Sequence, residues 1–119
     1  MAILNMTQHV ATIEQREAGV VEPDNKQEIQ ELLTFDELPQ THEVRRVALH
    51  LATIACDEGF KSVMIGGAPF LMPMLAEELD VRGIDALFAF SVRESTEYTA
   101  EDGSIQKQNV FRHKGFVEA

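Results

Sequence analysis

Two apolar signals of different period alternate along residues 41–91, and that alternation restricts the fold more than any other feature of the chain. Val44, Val47, Ala48, Leu51 and Ala55 recur at i, i+3, i+4, i+7 and i+11, one stripe of an amphipathic helix. The spacing predicts a helix over Thr41–Glu58, stopped by Gly59. Lys61–Ile65 then reads as a short buried strand, and Pro69 to about Arg82 as a second helix. Pro69 and Pro73 fall in or near its first turn, where a missing N–H costs little. After Gly83, Ala86–Ser91 (ALFAFS) reads as a further, fully buried strand.

The flanking segments extend this pattern. Residues 2–6 open the chain with a strand. Thr12-Ile13-Glu14-Gln15 is a capping box, and Gly19 ends the short helix that it starts. Residues 20–40 carry the weakest signals, with a short helix at Gln27–Thr34 between Pro23 and Pro39. Residues 92–99 and 104–112 read as hairpin arms around Glu101-Asp102-Gly103. Strands alternating with helices imply parallel pairing, because each crossover needs about this much chain. The expected fold is a single α/β domain over residues 1–119, Rossmann-like and three-layered, with a short parallel sheet and a C-terminal antiparallel hairpin. The strand order stays open between Rossmann-like and flavodoxin-like.

Composition narrows the function classes. The chain has 119 residues with 45% apolar and 25% charged side chains, ordinary for one globular domain. No apolar run approaches the roughly 18–20 residues of a spanning helix. MAILNMTQH has neither the basic nor the apolar region of a signal peptide. With its lone cysteine, Cys56, the chain reads as cytoplasmic, without a disulfide or a multi-cysteine zinc site. Cys56 itself is expected to be packed. The net charge of −10 is uneven: residues 1–60 hold eleven acidic against four basic side chains, residues 81–119 six against five. Long nucleic acid is a poor partner for such a chain, and neither a membrane nor an organic cofactor is indicated. HExxH and CxxC motifs are absent, so no metal site is expected.

In open α/β sheets, ligands bind at the carboxyl ends of the parallel strands. Here all three predicted ends carry chemistry. The first ends in Asn5, Thr7, Gln8 and His9; the second in Gly66-Gly67, read as lying directly ahead of a helix; the third in Ser91, Arg93, Glu94 and Ser95. A Gly-Gly turn lets backbone amides approach a phosphate, or else only supplies a turn conformation. Arg93 would clamp the phosphate bidentately. His9 is the candidate acid or base. Arg112 and His113, within Phe111-Arg112-His113-Lys114-Gly115-Phe116, would suit a nucleotide. Met72 and Met74 are core residues or a soft wall for a base, while His42 and His50 fall off the helical stripe and read as surface.

The eleven residues Asn5–Gln15 also resemble the opening of small CRISPR-associated ring-nuclease-type proteins. Those begin with an apolar strand, Asn-apolar-Ser-His, and a Thr-x-x-Gln helix start. His9, Thr12 and Gln15 match the His-x-x-Thr-x-x-Gln spacing, with weaker similarity over residues 62–82. Gln8 intervenes between Thr7 and His9, where the family sets Ser and His side by side. The resemblance implies a CARF-related homodimer that binds a cyclic oligoadenylate across its twofold axis. It also implies metal-free cleavage by ribose 2′-hydroxyl attack. His9 would then be the catalytic acid or base, Asn5 and Thr7 would orient ribose or phosphate, and the glycine turn would cradle phosphate. Two other readings remain open: a nucleotide-binding module that does not cut, and a protein-interaction module using the hairpin.

Overall fold

A computed structural model describes residues 1–119. The elements in chain order are β1 (Ile3–Met6), α1 (Ile13–Glu17), β2 (Val20–Val21), α2 (Lys26–Leu33), α3 (Thr41–Asp57), β3 (Ser62–Ile65), α4 (Met72–Asp80), β4 (Asp85–Thr99) and β5 (Ile105–Glu118). They form a mixed α/β fold with one five-stranded sheet of order β2-β1-β3-β4-β5. The first four strands are parallel, and β5 runs antiparallel to β4. The order reverses between β1 and β3: the chain first steps outward to β2, then crosses back to the other side of β1. Of the two orders left open by the sequence, this is the flavodoxin-like one.

Alternation along the strands sorts the core. Leu4, Met6, Val63 and Ile65 face α2, α3 and α4 in the main cluster, where Leu51, Leu75 and Leu79 are fully buried. Ile3 and Met64 face the other way, into a smaller cluster with Ala11 and Val20. The connection through α1 belongs to that second face, although α1 itself buries no side chain. Its capping box forms as predicted: Thr12 Oγ1 accepts from Gln15 N–H, and Gln15 Oε1 accepts from Thr12 N–H.

Several boundaries differ from the sequence reading. Strand β2 is a two-residue element too short to show periodicity. Helix α4 begins at Met72, not at Pro69, since residues 68–71 form a separate turn closed by Leu71 N–H on Ala68 C=O. It stops at Asp80, short of the expected Arg82. Met72 and Met74 pack in and against the main core. Cys56 is exposed, because it lies one position past the buried Ala55 on the α3 stripe.

The largest correction concerns Ala86–Ser91. Only Ala86 of that run is buried, and Ala89, Phe90 and Ser91 are exposed. The cause is register. β3 pairs with β4 only as far as Met64↔Leu87, whereas β4 and β5 stay paired from Leu87↔Glu118 out to Thr99↔Ile105. Beyond Leu87 the two strands leave the sheet as a free ribbon. The predicted turn closes it: Asp102 accepts from the amide and hydroxyl of Ser104. The ribbon stretches the molecule to 57 × 35 × 24 Å, with a radius of gyration of 17.0 Å, against about 13–14 Å for a compact chain of this length.

Candidate functional site

The loop after β1 is held from below by a buried amide. Asn5 has no exposed surface. Its Nδ2 donates to His9 C=O (2.8 Å) and to Glu22 Oε1 (2.9 Å), and its Oδ1 accepts from the Thr7 amide (3.1 Å) and hydroxyl (2.7 Å). Glu22, just past β2, also accepts from Ala11 N–H (2.6 Å) and Lys26 Nζ (2.9 Å). Asn5 and Glu22 thus pin both ends of residues 7–11. From the other side, Gln8 donates to Thr34 Oγ1 (3.0 Å), while Gln30 donates to Gln8 C=O (3.2 Å). The loop is clamped between the start and end of α2.

Above this loop lies a cleft of about 510 Å³ at the reversal of strand order. One wall is Thr7, Gln8 and His9, continued by Thr12 and Gln15 of the capping box. The other is Gly66-Gly67 at the end of β3, and Phe88 and Ala89 of β4 complete it. The two walls meet closely: a Cβ on Gly66 would stand 3.3 Å from Thr7 Cγ2. Gly67 has φ +151°, so here the pair supplies both close approach and turn conformation, one per residue. The helix after the pair starts five residues on, at Met72, so its N-terminal amides do not directly follow Gly67.

Of the residues singled out in the sequence, Thr7, Gln8, His9, Gly66 and Gly67 share this cleft. Asn5 lies beneath it with its hydrogen-bonding capacity engaged by protein. Ser91, Arg93, Arg112 and His113 are on the ribbon. Ser91 pairs with His113 and Arg93 with Phe111, both beyond the end of β3. The Arg112 guanidinium stands 3.5 Å from Glu94 and 3.9 Å from Glu14. The His113 ring packs edge-on against Phe116 with a centroid distance of 4.8 Å. The cleft lining therefore contains hydroxyls, amides and an imidazole but no Arg or Lys. The hydrogen bonds at His9 are made by its backbone, which leaves the imidazole unanchored. No group of three or more His, Cys, Asp or Glu side chains is placed to hold a metal ion. No helix is long and apolar enough to cross a membrane.

Glu22 and Lys26 were not evident as site residues, because the segment carrying them lacks a clear period. The one available signal was their i, i+4 spacing with opposite charge. Burial pushes the Glu22 carboxyl up, but hydrogen bonds from Ala11, Lys26 and Asn5, with the Lys26 charge, outweigh it. The net pKa is below the ordinary 4.5. A lowered carboxylate pKa adds stability above the unfolded-state value, and that stability is lost as pH falls through the folded-state value. Between about pH 5 and pH 3 the urea midpoint should therefore fall more steeply in the wild type than in Glu22→Gln. Parallel curves for the two proteins would mean that the carboxylate does not hold the loop.

The model of the uncharacterized protein MJ1673 family matches residues 1–117, and the chain belongs to that family. No curated protein and no solved structure matches it.

Proposed function

We propose that this member of the family binds a small anionic nucleotide in the cleft between the ends of β1 and β3, and that a cyclic oligoadenylate is the ligand to test first. The observation that carries the reading is the coincidence of Thr7, Gln8, His9, Gly66 and Gly67 on one cleft at the β1/β3 reversal, where doubly wound sheets take their ligands. We read the layers as Rossmann-like, supported by the α1 connection on one sheet face and α2, α3 and α4 on the other.

The lining favours hydrogen bonds to a ribose or base over a charge clamp. Phosphate contact falls to the backbone of Gly66-Gly67, with no cation in the lining to assist. A volume of about 510 Å³ suits one nucleotide rather than a ring of several. A cyclic ligand would therefore lie across two copies, as the N-terminal resemblance implies. In the cleavage reading, the ribose O2′ forms a bond to the adjoining phosphorus and the P–O5′ bond breaks. The O2′ proton passes to solvent, and His9 gives a proton to O5′, leaving a 2′,3′-cyclic phosphate and a 5′-hydroxyl. Positioning and proton transfer are the only tasks asked of the protein.

The test is chromatography of cyclic tri-, tetra- and hexa-adenylate after incubation in EDTA. Linear products would establish cleavage, and turnover in His9→Ala should then be lower by about 10²–10⁴-fold with ligand binding largely kept. Intact rings in the presence of measurable binding would instead support a module that binds without cutting. The unanchored His9 imidazole favours that second reading. Neither binding nor cleavage would end both.

A further inference from the structure

Beyond Gln8 the cleft is continued by a second cavity. It measures about 450 Å³ and lies against the segment between α2 and α3. Gln8 lines both spaces, and the residues after β3 divide between them: Gly66 and Gly67 line the first, Ala68 and Phe70 the second. Neighbouring Cα atoms are about 3.8 Å apart, so Gly67 and Ala68 form a narrow sill between the two cavities. That sill is a run of backbone donors. Residues 66–68 lie between β3 and α4, and none of their amides donates to a backbone carbonyl. Successive unpaired amides make a concavity that accepts an anion.

The second cavity has a different chemistry. Its charged residue is Glu37, a carboxylate that repels a phosphate but accepts from the exocyclic amino group of a base. The rest of its wall is aromatic and aliphatic. Phe35 and Phe70 meet edge to face, with ring centroids 5.0 Å apart at an interplanar angle of 70°. Phe35 packs against the main core, whereas Phe70 is 47% exposed and Leu38 96%. Phe35 therefore anchors a ring that is itself half open. The turn over residues 68–71, which delays α4 to Met72, carries Phe70 to this position. An open ring and an acceptor beside a run of free amides suit a planar, uncharged base joined to a phosphate. Every base can stack on such a ring, and each cavity has room for about one nucleotide.

The geometry points to a second base subsite on Phe70, so that each chain takes a dinucleotide unit. One nucleoside occupies the cleft, the bridging phosphodiester lies over residues 66–68, and the second base stacks on Phe70. This inference rests on the nucleotide reading of the cleft. It is tested by calorimetric titration of adenosine monophosphate and of adenylyl-(3′→5′)-adenosine into the wild type, Phe70→Ala and Phe70→Leu. The wild type should bind the dinucleotide about 10–100-fold more tightly than the monophosphate. In Phe70→Ala that advantage should shrink to within about threefold, with the monophosphate bound as in the wild type. Phe70→Leu keeps an apolar contact for Phe35 but offers no aromatic face, and it should behave as Phe70→Ala does. Dinucleotide affinity restored by Leu would make Phe70 a packing residue and overturn the inference. Equal affinity of the wild type for the two probes, or monophosphate binding lost in Phe70→Ala, would overturn it as well, with the cleft still a nucleotide site. Binding of neither probe to the wild type would overturn the nucleotide reading, and this inference with it.

Discussion

Replacing Asn5 by Ala should lower the thermal midpoint by about 8–15 °C, the largest stability effect expected of any polar substitution in this protein. The side chain is fully buried, and five hydrogen bonds converge on its two polar atoms. Truncation removes the acceptor of the Thr7 amide outright and takes one donor each from the His9 carbonyl, which keeps Thr7 Oγ1 and Lys26 Nζ, and from the Glu22 carboxylate, which keeps Ala11 and Lys26. Leaving buried groups unpaired costs about 1–3 kcal/mol each, more when one is charged, with part recovered by entering water. A net loss of about 2–4 kcal/mol is therefore expected. Asn5→Asp should be worse than Asn5→Ala at pH 7–8, since it sets a second carboxylate about 3 Å from that of Glu22. Two such carboxylates raise one another's pKa, and a raised folded-state pKa adds stability only at low pH. Asn5→Asp should accordingly regain stability as pH falls toward about 5, a recovery that Asn5→Ala cannot show. Should Asn5→Ala shift the midpoint by less than about 3 °C, the network does not hold the loop.

The same residue shows how far the sequence could be read. The sequence reading places Asn5 against a ligand, whereas the structure shows its side chain buried and bonded to the loop and to Glu22. Whether it faces the ligand or the loop beneath depends on a partner 17 residues away, Glu22, in the segment with the weakest signals. Local rules did better: the Thr12–Gln15 cap and the α3 stripe need only neighbours within two or three turns, and both formed as read. Arg93 illustrates the opposite case. Continuous apolar character in Ala86–Ser91 suggested a strand buried to its end, with the ligand crevice just after it. The parallel pairing stops at Leu87, so Arg93 lies six residues farther out, about 20 Å along an extended chain. An apolar run does not by itself distinguish a buried strand from an exposed one, and Phe90, 53% exposed, belongs to the latter.

Gly66 and Gly67 separate two meanings of one dipeptide, and their substitution should have the largest effect on ligand binding. Gly66 does not have a positive φ, so its backbone would accept any residue. What excludes a side chain there is Thr7, already 3.3 Å from the position of a Cβ. Gly66→Val would press the β1 loop away and fill the cleft between its walls, a misfit of about 1–3 kcal/mol. Binding of the probe, cyclic tetra-adenylate, should weaken by about 10–100-fold as a result. Gly67→Ala tests the other meaning. Its Cβ would meet Met72 Cε at 3.6 Å and Leu33 Cδ2 at 3.8 Å, ordinary contacts. Its φ of +151° is nonetheless poorly tolerated by an L side chain, a strain of about 1–3 kcal/mol. Gly67→Ala should therefore melt earlier than the wild type yet bind within about threefold of it at a temperature where both are folded. Calorimetric titration of both variants reads the contrast directly. If Gly66→Val bound as tightly as wild type, the close approach of β1 and β3 would be packing alone, and the cleft between them would not be where the nucleotide sits.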